Sequence, residues 1–326
     1  MPYAPPVSIK IRCWRDGAIE ESSDVDDLAR LVATKGSATW IDLTAPSAEL
    51  LHAVARRLGL HPLIAEDIVE RNERAKVRLV GDVIHVVLFE LERPANEIKI
   101  QEVDFVLGRD FLLSVHPAGW DPMAARQVKV GVEALLSKGP DLLLWALVDS
   151  IVDGYFPVFD ALGDEIDEVE DLSISQTVPS TLQRIFRLKR ELLQIRHYVA
   201  PSREVVAQLT SREFDLIREP NVFYFRDVYD HLIRLNDELD SFRELVAGAL
   251  EVYLSSINNN LSAIMKRLTG VTVILAGIGA VAGVFGMSEA ASALTGGEGS
   301  GFYVIVAATV VAAVIAAFWL RRIDWI

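Results

Sequence analysis

The sequence predicts an α/β cytoplasmic domain followed by long stalk helices and a two-helix transmembrane hairpin. Three observations predict it: alternating apolar stretches in the first 120 residues, a helical pattern without proline after Pro220, and two uncharged segments near the C-terminus. At 51% hydrophobic residues the chain carries more apolar mass than a globular core of this length needs, and the excess sits in those two segments.

Within residues 1–140, Val7–Cys13, Thr39–Leu43, Val83–Leu91 and Phe111–Val115 read as strands, and Ala48–Leu58 as a helix. There is no Gly-rich phosphate loop, nucleophile elbow or His-rich motif, so the chain is not expected to be an enzyme. The six histidines, at 52, 61, 85, 116, 197 and 231, are scattered and are expected to be structural or solvated. Cys13 is the only cysteine, which excludes an intrachain disulfide and any cysteine-cluster metal site. A net charge of −14 argues against a nucleic-acid partner and fits a surface that attracts cations.

Residues 141–220 are helical in pattern. An acidic stretch, GDEIDEVEDLS at 163–173, precedes Pro179 and a basic helix with Arg184, Arg187, Lys189, Arg190 and Arg196. The two are expected to form an antiparallel hairpin whose charges make solvated interhelix ion pairs, each contributing ~0–1 kcal/mol.

Residues 221–287 read as one stalk helix continuing into a first membrane helix, since no proline interrupts them. Val228, Leu232, Leu235, Leu239, Phe242, Val246, Ala249, Tyr253 and Ile257 recur at spacings of three and four. This seam is expected to be too long for one subunit to cover, which predicts a symmetric homo-oligomer. The uncharged runs 269–287 and 301–320 are each long enough to cross a hydrocarbon core of roughly 30 Å. Lys266 and Arg267 precede the first and Arg321 and Arg322 follow the second, while 288–300 contains no Lys or Arg. Both termini, including the basic tail 321–326, are therefore expected on the cytoplasmic side of a multi-pass protein in the cytoplasmic membrane, with 288–300 outside. The N-terminus has no apolar signal core, so roughly 265 residues should fold in the cytoplasm.

Continuing the three/four spacing through the membrane places Ser262, Met265, Thr269, Thr272, Ala276, Gly279, Gly283 and Gly286 on one face. That small or polar face suits close helix packing or a narrow central pore. The long oligomeric stalk favours the pore.

The segments YFRDVYDH at 224–231, YLSSINNNLSAIMKRLT at 253–269 and AGVFGMS at 282–288 resemble the stalk and first membrane helix of CorA-type Mg2+ transporters, close to their Gly-Met-Asn signature. HPLIAEDI at 61–68 and the tail RRIDW match the same family. The resemblance implies a funnel-shaped homopentamer in a lipid bilayer, with Mg2+ as both the transported and the regulatory ion. It places Gly286, Met287 and Ser288 at the pore mouth and the stripe from Gly283 down to Ser262 along the pore. Glu289 and Glu298, the two charges of the loop, would draw cations to the mouth. It also implies regulatory metal binding between subunits at Asp227 and Glu251, completed by Glu92 of the N-terminal domain.

The chain departs from the family pattern at four places. Ser288 replaces the signature Asn, Gly277 stands where a helix-bending proline is common, Gly279 where a pore threonine is typical, and Ser262 where a pore asparagine is typical. Mg2+ keeps its hydration shell and prefers oxygen ligands, so a softened polar mouth bears on ion preference. Two alternatives therefore stay open: a Zn2+ or Co2+/Ni2+ transporter of the same superfamily, and a membrane-anchored sensor or scaffold that does not conduct.

Overall fold

The computed structural model describes residues 8–33, 36–175, 178–211, 214–286 and 300–322. Met287, Ser288, Glu289, Glu298 and most of the tail lie outside the described residues. The chain divides into two compact units, residues 1–170 with 183–247, and residues 171–182 with 248–326.

The first unit is built on a seven-stranded sheet of order β2-β1-β3-β7-β6-β5-β4. The strands are β1 Ser8–Arg15, β2 Ala18–Ser22, β3 Ala38–Thr44, β4 Lys76–Val80, β5 Val83–Glu92, β6 Lys99–Leu107 and β7 Phe111–His116. All pairs are antiparallel except β3 with β7. Asp16 and Gly17, at φ 51° and 84°, close the β1–β2 hairpin with the left-handed pair a two-residue turn requires. The four strands expected from alternation are present. β2, β4 and β6 were not legible that way, because β2 and β4 are edge strands with largely uncovered side chains and β6 begins with polar residues.

Three helices cover one face of the sheet: α1 Leu28–Val32, α2 Ala48–Arg57 and α3 Pro62–Glu70. α2 starts at Ser47, whose hydroxyl accepts from the Leu50 N–H at 3.3 Å, and α3 starts at His61 with Pro62 in its first turn. Leu51, Val54 and Ile64 pack there with Ile11, Ile41, Leu43, Val106 and Leu113. α4 Arg126–Val130, α5 Val132–Leu136 and α6 Pro140–Asp153 follow, and α6 lies against β3, β5, β6 and β7. β3 is buried along its length except at Thr44, as a central strand covered on both faces must be. Two histidines are structural, as expected: His85 Nε2 meets Asp104 at 2.8 Å and His116 Nε2 meets Asp42 at 3.2 Å. Burial pushes the Asp104 carboxyl up, and the bond to His85 opposes that shift.

Beyond the sheet run α7 Tyr155–Ser175, α8 Pro179–Leu209, α9 Val222–Gly286 and α10 Ser300–Arg322. Arg184 pairs with Glu168 at 2.6 Å and Arg187 with Glu165, an order that makes α7 and α8 antiparallel. The expectation of solvated pairs needs correction at the centre of this hairpin. Glu165 and Glu191 are buried and close on Arg93, just past β5, whose side chain is buried. Burial would raise the Glu165 carboxyl, but the hydrogen bond from Arg93 and the charges of Arg187 and Arg93 outweigh it and hold the group below the ordinary range.

The seam is also corrected. Val228, Leu232, Leu235, Leu239, Phe242 and Val246 are buried within the chain itself, with Phe242 against Phe159 and beneath Gly163 of α7. α7 supplies cover that was expected from other subunits, so the seam does not by itself demand an oligomer. In the second unit Ala249 and Tyr253 are likewise buried, the Tyr253 hydroxyl donating to the Val178 carbonyl at 3.2 Å, and Ile257 is half-buried.

Two described helices are long and apolar enough to cross a membrane by composition. Pro140–Ser175 has 67% of its apolar stretch buried and belongs to the core; in the most apolar stretch of Glu219–Val284 only 6% is buried, so the described residues of the chain do not cover it. α10, which contains the uncharged run 301–320, packs beside it.

Candidate cation sites

The first site grows from two helices that each repeat a polar residue after four positions. Asp149 and Asp153 share one face of α6, and Asp227 and His231 share one face of α9. Ligand atoms of Asp149, Asp227 and His231 all lie within 4.8 Å of one another, the one such group among the described residues. Asp149 is buried, Asp227 exposed and His231 half-buried, so the cluster is anchored at one end and open at the other. Burial is the main force on Asp149; with the neighbouring Asp153 and Asp227 charges it pushes the carboxyl up to about 6, against the opposing effects of His231 and Gln127.

The Nδ1 of His231 is buried without a hydrogen bond; its nearest carboxylate oxygen, on Asp153, is 3.8 Å away, too far to count as one. Two carboxylates and an unengaged imidazole nitrogen form a donor set that fits a divalent cation. The oxygens suit Mg2+, and the nitrogen admits Co2+, Ni2+ or Zn2+. A cation here would ease repulsion among carboxylates and tie α6 to α9.

Of the residues expected at a regulatory site, the structure brings only Asp227 into this cluster. Glu251 is exposed 24 positions further along α9, and Glu92 pairs with Lys99 at 3.1 Å. Asp149 and His231 were missed. Asp149 sits in an apolar run, LLLWALVDSIVD, and His231 reads in sequence as one of six scattered histidines, structural or solvated. The signal that could have found them is the repeated D-x-x-x-D and D-x-x-x-H spacing.

The second site is the stripe on α9. Ser262, Met265, Thr269, Thr272, Ala276, Gly279 and Gly283 are all exposed, and Gly286 ends the helix. α10 meets a different side: an apolar cavity of about 320 Å³ between the helices is lined by Val273, Ile274, Gly277, Ile278 and Val281 together with Thr309, Ala312 and Trp319. At 100° per residue the stripe lies roughly opposite that contact, so the described residues of its own chain leave it uncovered. Gly277 faces α10, and Cβ atoms added at Gly277, Gly279 or Gly283 would meet no neighbour within 4 Å. Thr272 donates its hydroxyl to the Leu268 carbonyl at 2.8 Å, which leaves its oxygen lone pairs outward.

An α/β unit, a 65-residue helix ending in an uncovered apolar stretch and a second helix carrying the uncharged run 301–320 are the parts expected of an integral membrane protein. The family profile described as CorA-like Mg2+ transporter protein matches residues 35–322. The chain is 32% identical over 295 residues to the cobalt/magnesium transport protein CorA of Thermotoga maritima, covering 88% of this chain and 83% of that protein. It is 26% identical over 250 residues to the putative metal ion transporter YfjQ of Bacillus subtilis, covering 76% and 78%. The complete structure of the CorA magnesium transporter from Methanocaldococcus jannaschii superposes with a TM-score of 0.81 at 21% identity, over 98% of this chain and 99% of that one. The chain belongs to the CorA-like Mg2+ transporter family.

Proposed function

We propose that this chain forms a homopentameric channel that carries divalent cations, Mg2+ first and Co2+ with it, across the cytoplasmic membrane. Family membership supports the transport of a metal ion, and the name of the Thermotoga relative points to these two. The observation that carries the pore is the stripe from Ser262 to Gly283. It is small, polar at intervals and turned away from α10, as a surface that meets its symmetry mates around a central axis must be. Exposed Leu254, Leu261 and Ile264 flank it and offer contact area for neighbouring subunits.

In this reading Ser288 and the Gly286 backbone hold a hydrated cation at the mouth through its waters, and Glu289 and Glu298 concentrate ions outside. The cluster Asp149, Asp227 and His231 senses the cytosolic ion. With a cation bound, α9 is tied to α6 and the closed arrangement is favoured; without it, the carboxylates repel and α9 is released. The ion biases this equilibrium only by its differential affinity for the two states, and repetition around a ring lets weak sites add.

Purified protein in sealed vesicles with an entrapped indicator tests the transport reading. Uptake of Mg2+ and Co2+ should exceed Zn2+ uptake, and light scattering should give a pentamer. Absence of any metal flux from a well-assembled pentamer would identify a non-conducting sensor instead.

A further inference from the structure

Gln127 carries no charge and forms part of no motif, yet it touches the cation cluster. From α4, which packs on α6, it donates through Nε2 to Oδ2 of Asp149, while its own Oε1 is buried and meets no donor among the described residues. Its neighbour Val128 is buried, so the amide is presented by a short helix anchored through that side chain.

The donor's neutrality is what matters. A lysine or arginine here would pair with the buried carboxylate and cancel the charge that attracts a cation. An apolar residue would leave the carboxylate free to turn away from Asp153 and Asp227. The amide does neither: it holds one oxygen in place, adds no positive charge, and leaves Oδ1 without a protein donor among the described residues. A buried amide oxygen with no donor is unfavourable, so Gln127 is a poor choice for packing alone.

We propose that Gln127 is a positioning residue of the regulatory cation site, setting its affinity by fixing the Asp149 carboxylate so that the free oxygen faces the ion shared with Asp227 and His231. This rests on the reading of that cluster as a regulatory site. Groups that orient metal ligands typically change affinity by about 10–100-fold when removed.

The test uses the full-length protein in detergent, with MgCl2 titrated against limited trypsin digestion and melting temperature measured in EDTA. Gln127→Met should need about tenfold more Mg2+ for half-protection. It should reach the same protection at saturation and melt in EDTA no lower than the parent, and Gln127→Leu should do the same. Asp149→Asn should lose the protection. If both Gln127 variants keep a midpoint within about twofold of the parent while Asp149→Asn loses protection, the role of Gln127 is overturned and the cluster stands. An unchanged response in all three overturns the cluster and this proposal with it. Gln127 variants whose EDTA melting temperatures fall in step with their midpoints assign the residue to packing and overturn the proposal too.

Discussion

Replacing Arg93 by methionine should lower the stability of the α/β unit by roughly 3 kcal/mol. The side chain is 3% exposed and faces Glu165 and Glu191, at 7% and 9%. It donates Nη2 to Glu165, Nη2 and Nε to Glu191 at 3.0 and 3.2 Å, and Nη1 to the Ala161 carbonyl at 3.3 Å. Removing one partner of a buried pair costs about 3–5 kcal/mol because the other charge is left uncompensated. Here the loss falls at the lower end, since Glu165 keeps Arg187 and Glu191 has the same guanidinium at 3.7 Å.

Scanning fluorimetry in detergent should register a fall in melting temperature on the order of 10 °C, at about 2–4 °C per kcal/mol for a unit of this size. Arg93→Met with Glu165→Gln and Glu191→Gln should recover most of it, because the stranded charges go as well. The pH dependence has a definite sign. Glu165 is held below its ordinary value of 4.5, so its contribution is present above that pH and lost as the pH falls through the depressed value. The gap between parent and Arg93→Met should therefore narrow in acid. A melting temperature within about 2 °C of the parent at neutral pH would refute the reasoning and show that the network is solvated.

Glu90 offers a contrasting titration: burial, with Glu92 nearby, pushes it up to about 7, so its stabilising contribution is full below the ordinary 4.5 and lost as the pH rises through 7. Glu90→Gln should remove a loss of about 1 kcal/mol between pH 6 and 8 after allowance for solvent screening, read as a flatter melting temperature across that range. Thr272→Val keeps the shape but removes the outward oxygen, and should lower Mg2+ uptake several-fold in vesicles without changing assembly. Ser288→Asn should sharpen preference for Mg2+ over Co2+ in competition uptake, whereas Ser288→Ala should reduce flux. A cysteine introduced at Ser292 should react with an impermeant thiol reagent on intact cells; labelling only after lysis would reverse the orientation.

The membrane hairpin, the α/β character and the course of α9 were legible in sequence because each rests on a one-dimensional signal: an uncharged run, an alternation of period two, a helical repeat without proline. The family was legible too, since the motifs that carry it are short contiguous segments of sequence. What covers a surface was not legible. The repeat from Val228 to Val246 announces an apolar face but cannot say whether α7 or another subunit lies on it, and tertiary packing placed Phe159 there. The same blindness hid Arg93, whose partners lie 72 and 98 positions away, and Asp149, which reads as a stray charge in an apolar helix until α9 brings Asp227 and His231 alongside. Periodicity records which side of an element is apolar, whereas a site of converging charges depends on which elements meet, and the folded chain alone decides that.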